Sequence, residues 1–389
     1  MITRCCFKRG KAKKVAIIGG GFAGVQAAIA LSCCRRLEVA LIDKGAFFNF
    51  LPLLPDTIGR GLSVRHLAYP LVNLCKRYGI CYAEADVQHL DLEKRKIFCS
   101  GTDFDYEYLI IASGSQTNFY GNESLSRVAF KLDDVSDAAA IRKSLAARRP
   151  ETFIVAGGGY TGIEVATNLR LLTQRQAASG QGAFRRIVVV ERAPSILGPL
   201  PSWMKDFVKA NLERMRIEIR TDATIRDAQG ETVDLSGGEH FERAMLFWAG
   251  GVQTAGFIQS LAEEKNPQGR IKVDGFLRLR DNVFVAGDAA LVSYRGAPLR
   301  MAVQFALTQG AHAARNLMHI EMGERLKPYR PVDQGYIIPM ANNNSCGAVF
   351  GRAVRGRLAT TLHYIMCIYR SYGLRNKLGV LNRLTRRSL

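Results

Sequence analysis

Two glycine triplets, each trailed by an acid, hold most of the chemistry that residue type and spacing offer in this chain. Gly19, Gly21 and Gly24 stand as Gly-x-Gly-x-x-Gly with Phe22 and Ala23 inside, and Asp43 follows 19 residues after Gly24, with Lys44 beside it. The pattern returns at Gly157, Gly159 and Gly162 with Tyr160 inside, and Glu191 follows 29 residues after Gly162. In such a triplet the first glycine allows a tight turn. The second lets a pyrophosphate approach the backbone at the positive end of a helix, and the third lets helix and strand pack closely. An acid at the end of the next strand can accept hydrogen bonds from a ribose. One triplet alone is a weak signal, because glycines also mark ordinary turns. Two sets, each with its acid, imply two dinucleotides, usually FAD and a nicotinamide, with hydride passing between them. Glu191 favours a free ribose 2′-hydroxyl and hence NADH, while the adjacent Arg192 keeps NADPH open.

These residues need strand, turn, helix and strand around them, and the flanking sequence supplies all four. Apolar runs at 15–18 and 39–42 enclose an alanine-rich stretch at 27–31. The second unit has a strand at 153–156, a helix over 163–172, a polar loop at 174–182 and a strand at 187–190. Elsewhere the pattern predicts helices over 70–78, 133–148, 203–214 and 301–320. It predicts a strand at 80–87, a hairpin over 87–100, and buried strands at 108–114 and 283–286; the last two end on Ser113-Gly114 and Gly287-Asp288. Pro52 and Pro55 exclude a long helix from the aromatic stretch at 47–55. The expected fold is α/β, with two Rossmann-like dinucleotide-binding domains and a basic amphipathic C-terminal helical segment. The first domain is discontinuous, residues 1–120 plus 274–327; the second is inserted at 121–273, and 328–389 forms the C-terminal segment.

The 389 residues give ample length for two cores, and the formal net charge is +20. That balance points to a polyanionic partner: anionic lipid, nucleic acid or a phosphate-rich ligand. No nucleic-acid partner is expected, for the chain has no RNP-like aromatic motif and no Cys/His finger spacing. A basic nucleic-acid binder with vestigial folds would show salt-dependent binding. None of the nine cysteines forms a C-x-x-C pair, which suits a reducing compartment. The six histidines show no ligand spacing, so no metal is proposed. No apolar run reaches the length of a membrane span, and the basic arm at 1–14 lacks the apolar centre of a secretory signal. From 334 to 389 there is no acid and there are nine arginines and lysines. Leu358, Leu362, Ile365 and Tyr369 recur at helical spacing there, as do Leu374, Leu378 and Leu381 after Gly373. This suits a helix lying in an anionic membrane surface. Packing on the protein's own core or on a second copy, as a homodimer, is the alternative.

In its motifs the chain resembles the two-dinucleotide-binding-domain flavoproteins, and among them the type II NADH:quinone oxidoreductases. Gly19 to Gly24 with Asp43 resembles the FAD fingerprint, and the stretch at 49–54 resembles one lying beside the flavin. Residues 108–115, with Ser113 and Gly114, resemble the family's D-Y-L-V-I-A-T-G-S strand. Gly157 to Glu164 resembles G-G-G-x-T-G-V-E, and Trp248-Ala249-Gly250-Gly251 resembles W-A-A-G. Gly287-Asp288 resembles the motif whose acid binds the ribityl chain. Residues 303–310 resemble the quinone-side A-Q-x-A-x-Q-Q-G helix, with Thr308 in place of the second glutamine. The resemblance implies non-covalent FAD, oxidation of NADH, reduction of a membrane quinone without proton pumping, and a peripheral location on the cytoplasmic side of a membrane.

It also implies roles for Glu164, as a proton relay beside the flavin, and for Gln304, as a donor to a quinone carbonyl. The plainer readings are a helix-start acid that complements the helix dipole and a satisfied packing amide. Tyr160 either stacks near the nicotinamide or packs. Two related functions remain as alternatives: an NADH-binding redox sensor resembling apoptosis-inducing factor, and a reductase with another acceptor, such as a ferredoxin or a sulfide:quinone-type reaction. The sulfide chemistry needs flavin-facing cysteines, for which only Cys346 could serve.

Overall fold

The structure, a computed structural model, describes residues 12–180 and 184–385 and divides into two compact units. The first comprises 12–48, Tyr69–Gln116 and Val252–Asp333; the second comprises Asn49–Ala68, Thr117–Gly251 and 334–385. The arm at 1–11, with Cys5 and Cys6, lies outside the described residues, as do part of the expected polar loop and Arg386 and Arg387.

The first unit is built on a six-stranded sheet. Its order is Arg278–Arg280, Val283–Val285, Tyr108–Ile111, Lys13–Ile18, Leu37–Asp43 and Cys81–Glu84. All neighbours run parallel except the first pair. The central strand places Val15 opposite both Val39 and Tyr108. Helices cover parallel sheets on both faces, so Val15, Ala16, Ile17 and Ile18 form an unbroken apolar run rather than an alternating one. The Phe22–Leu31 helix follows the first strand and packs on the Val303–Glu321 helix. Gly310 makes that contact possible, because a Cβ there would lie 2.0 Å from the Ala23 carbonyl oxygen. The expected hairpin gains a third strand, Thr102–Asp105, after Val87–Asp91 and Lys96–Cys99.

The second unit repeats the plan on four parallel strands, in the order Glu218–Arg220, Arg186–Val190, Thr152–Ala156 and Ala244–Trp248. Its principal helix, Tyr160–Ala178, outruns the expected stretch at both ends and absorbs much of the expected polar loop. Gln174 to Ala178 are good helix formers, and Arg175 is anchored on the Gly59 carbonyl, which polarity alone does not signal.

Three expected boundaries differ from the compact units, and one is that 252–273 lies in the first unit rather than the second. Residues 49–68 pack within the second unit rather than the first, with Ile58 in its core and Gly59 too close to the Asn168 backbone for any side chain. The C-terminal residues do not form a separate segment: 334–385 also belongs to the second unit. It begins with an antiparallel sheet, Gly335–Ile338, Ser345–Val349 and Arg352–Arg355, and continues as the helices Gly356–Arg370 and Leu374–Thr385. The sequence signal for that sheet was present, in two apolar runs separated by Asn342-Asn343-Asn344.

Candidate functional site

In the first unit the carboxyl ends of four adjacent parallel strands carry one set of side chains. Gly19 has φ +106°, and a Cβ on it would meet the Ala112 carbonyl oxygen at 2.3 Å. A Cβ on Gly24 would lie 1.8 Å from the Gly19 oxygen, which enforces the close helix–strand approach. Gly21 is different: nothing stands within 4 Å of where its Cβ would be, so open space lies at the start of the Phe22–Leu31 helix. Asp43 ties this loop down by accepting the Gly20 N–H at 2.6 Å and the Gly45 N–H at 2.7 Å. Burial pushes its carboxyl up from the usual range, and those two N–H groups oppose the rise. Lys44 adds a positive charge beside it. Phe22 is buried edge-on against Phe48, and Ala23 is buried under Gly310.

The neighbouring strand ends at Ile111 and leads into Ser113 and Gly114, and the buried Ser113 hydroxyl has no hydrogen-bond partner among the described residues. Ser115 donates to Asp288 at 2.9 Å, and Gln309 accepts the Gly287 N–H at 2.8 Å. Burial raises the Asp288 carboxyl, while the Ser115 hydroxyl and the Arg270 charge act against it. Open backbone above a helix start, an orphaned buried hydroxyl and a poised acid fit a dinucleotide with a polyol chain.

The second unit builds the same cradle from different neighbours. Gly157 has φ +105°, and its Cβ would meet the Ala249 oxygen at 2.3 Å; a Cβ on Gly162 would lie 1.8 Å from the Gly157 oxygen. Gly159 is open, like Gly21. Glu191 accepts the Gly158 N–H at 2.7 Å and the Ala193 N–H at 2.8 Å. Tyr160 is the first helical residue, and its ring packs edge-on toward Tyr336 at 6.1 Å.

Glu164 is the fifth residue of its helix and so lies in the second turn rather than the first. Its carboxyl accepts no hydrogen bond from any described residue, and the first turn of the helix holds no acid. It lines a narrow recess with Asp56, Asn168 and Tyr364, and the recess has no room for a water. Desolvation, then the nearby Asp56 charge, holds Glu164 well above the ordinary carboxyl range. Asp56, Arg60 and Tyr364 were not singled out by sequence; an acid directly after Pro55 in an apolar stretch was the available clue.

Gln304 is buried in the first unit and donates its amide N–H to Asp333 at 2.9 Å. Arg300 grips Asp333 with two bonds, 2.6 and 2.8 Å, so the ion pair fixes the amide's orientation. Thr308 bonds the Gln304 carbonyl at 2.9 Å and the Tyr329 hydroxyl at 2.8 Å. Cys346 is fully buried in the core of the second unit, and burial pushes its thiol up to about 11, so it lacks the thiolate character of a redox cysteine.

The family model for pyridine nucleotide-disulphide oxidoreductases matches residues 13–314. A type II NADH:quinone oxidoreductase of Staphylococcus aureus is 26% identical over 381 residues, covering 91% of this chain and 94% of its own length. The corresponding protein of Staphylococcus haemolyticus is 25% identical over the same shares. Among solved structures, NDH2 from Plasmodium falciparum in complex with NADH superposes with a TM-score of 0.84 at 18% identity, over 97% of this chain and 98% of that one. The sulfide:quinone oxidoreductase of Aquifex aeolicus gives 0.77 at 16% identity, over 95% and 92%. These structural likenesses establish the shared fold. The matched span holds both cradles, Glu164 and Gln304, and the curated relatives carry the name that the motifs led us to expect. This chain belongs to the pyridine nucleotide-disulphide oxidoreductase family, where its relatives include the type II NADH:quinone oxidoreductases.

Proposed function

We propose that the protein oxidises NADH and passes the electron pair through non-covalently held FAD to a membrane quinone, without pumping protons. The observation that carries this reading is the pair of cradles, each with an open glycine at a helix start and an acid bonded into its loop. When bound, FAD supplies a ring able to accept a hydride and release electrons one pair at a time. The chain's own residues do the rest. In the first cradle the N–H groups around Gly21 and Phe22 would hold the pyrophosphate, Asp43 would hold the adenosine ribose, and Ser113 and Asp288 would hold the ribityl chain. In the second, Gly159 gives the NADH pyrophosphate room and Glu191 selects a ribose that carries a free 2′-hydroxyl. Glu164 holds a proton for the quinone, and Gln304, oriented by Asp333, hydrogen-bonds a quinone carbonyl.

The C-terminal helices are proposed to dock on an anionic membrane from the cytoplasmic side. Their inner faces pack within the second unit: Tyr364, Cys367 and Val380 are buried, and Asn376 donates to the Ala68 carbonyl at 2.9 Å. Leu358, Ile365, Tyr369, Leu374, Leu378 and Leu381 are exposed on the outer side, Tyr369 to 74% and Leu374 to 73%, while Leu362 is half-buried. Large exposed apolar side chains among basic residues and no acids suit an interfacial helix. No described helix is long and apolar enough to cross a membrane. A stripped anaerobic assay tests the redox reading: NADH should bleach the yellow protein, and a water-soluble quinone should restore the colour. A protein that purifies without flavin and cannot take it up would overturn it.

A further inference from the structure

The recess beneath Glu164 holds a second carboxylate for which the reaction so far has no use. Asp56 lies in the helical turn Pro55–Thr57 and is 5% exposed. Arg60, one turn on, brings its Nε within 3.2 Å of Asp56 Oδ1, and the Tyr364 hydroxyl donates to the same oxygen at 3.0 Å. Burial raises the Asp56 carboxyl above its usual range, and the Arg60 charge and the Tyr364 hydroxyl act against that rise by favouring the ionised form. Glu164 has neither kind of partner, lines the same dry recess and feels the Asp56 charge. The other titratable groups there carry little. Burial keeps the Tyr364 phenol and the Cys367 thiol protonated and pushes His363 down to about 4, which leaves it neutral at ordinary pH. Arg370 acts on the Cys367 thiol from the same helix.

We propose that Asp56 is a positioning residue for proton delivery: clamped as an anion by Arg60 and Tyr364, it opposes a second negative charge in the recess and so keeps Glu164 loaded with its proton. The inference rests on the reading of Glu164 as proton donor. The overall reaction is NADH + H⁺ + quinone → NAD⁺ + quinol. NADH gives two electrons and one proton; Glu164 gives the second proton to a quinone oxygen as its O–H bond breaks, and solvent returns that one proton to Glu164. The Glu164 carboxylate left behind faces Asp56 across a recess that holds no water, so repulsion favours its prompt reprotonation. Tyr364 sits on the inner face of the helix whose outer face carries Leu358 and Ile365, so the clamp is anchored in the element proposed to meet the membrane.

Infrared titration of the flavin-loaded protein tests the coupling without relying on turnover. The carbonyl stretch of the protonated acid is assigned by its loss in Glu164→Gln. In Asp56→Asn the pH at which that band disappears should move lower, because the repelling charge is gone, whereas Asp56→Glu should keep it close to the parent. If Asp56→Asn does not fold with Arg60 left unpaired, Asp56→Asn/Arg60→Gln removes the charge as a neutral pair and should move the band in the same direction. A midpoint that stays in place in both charge-removing variants overturns the coupling. The alkaline limb of the quinone half-reaction should move with the band. A quinone half-reaction equally fast in Glu164→Gln overturns the proton-donor reading, even where the infrared shift shows the two carboxyls to be coupled.

Discussion

The two cradles differ less in their loops than in what stands behind them. At the first and third glycines a Cβ would meet backbone at 2.3 and 1.8 Å in both units, and each acid reaches a loop N–H at 2.6 or 2.7 Å. Behind the first, a short alanine-rich helix is pressed against a second helix at Gly310, and Ser113 and Asp288 add buried polar groups. Behind the second runs a helix of 19 residues whose second turn carries Glu164 above a dry, charged recess. The lesson is that the glycine triplet specifies a nucleotide and nothing more. The residues beyond the third glycine are what differ: a helix contact at Gly310 in the first unit, and Glu164 over its recess in the second.

The largest effects come from the glycines themselves. Gly24→Val would drive a side chain into the Gly19 carbonyl, and the first unit should fail to fold, seen as insoluble protein or lost cooperative melting. Gly21→Val meets nothing in the protein and should fold, yet it fills the space a pyrophosphate needs and should lose nearly all flavin absorbance. Gly159→Val should stay yellow but no longer bleach with NADH. If Gly21→Val and Gly159→Val lose flavin equally, the assignment of resident and substrate to the two cradles is wrong.

Next in size is Glu164→Gln, which should slow reoxidation by quinone about 100-fold, the usual scale of one general acid, while bleaching by NADH is little changed. Rapid-mixing spectra separate the two steps, and slowing confined to bleaching would reverse the assignment. Smaller still is Glu191→Gln. One charge-assisted bond of about 1.5–3 kcal/mol is weakened, so the preference for NADH over NADPH in kcat/KM should narrow about 10-fold or more. The variant retains an acceptor for the Gly158 N–H, so melting temperature should hardly move. Leu374→Ser with Leu378→Ser should leave the fold intact, as both residues are exposed, and reduce sedimentation with anionic vesicles. Unchanged sedimentation would remove those leucines from membrane contact.

What sequence could reveal follows the reach of the interactions. Gly19, Gly24 and their counterparts were legible because backbone geometry within a few residues demands glycine, and the acids at strand ends because the next strand must lie alongside. The runs at 15–18 and 108–111 announced their strands by being unbroken and apolar, as a doubly covered parallel sheet requires. Asp56 was not legible, since its meaning depends on Tyr364, 308 residues away. Asp333, which orients Gln304, is likewise defined by Arg300 and by a bond to the helix rather than by any motif. The expected loop after 173 failed for the opposite reason: polar residues there line the outside of a helix whose end is fixed by tertiary contact at Gly59.

The central claim is that one chain carries electrons from NADH through flavin to quinone. Anaerobic rapid mixing of the yellow protein, first with NADH and then with a water-soluble quinone, tests it most directly. The expected result is bleaching with one NADH consumed per flavin, followed by return of the oxidised flavin band at a rate that rises with quinone concentration. Bleached protein that persists as a long-lived complex with NAD⁺, unmoved by added quinone, would contradict it.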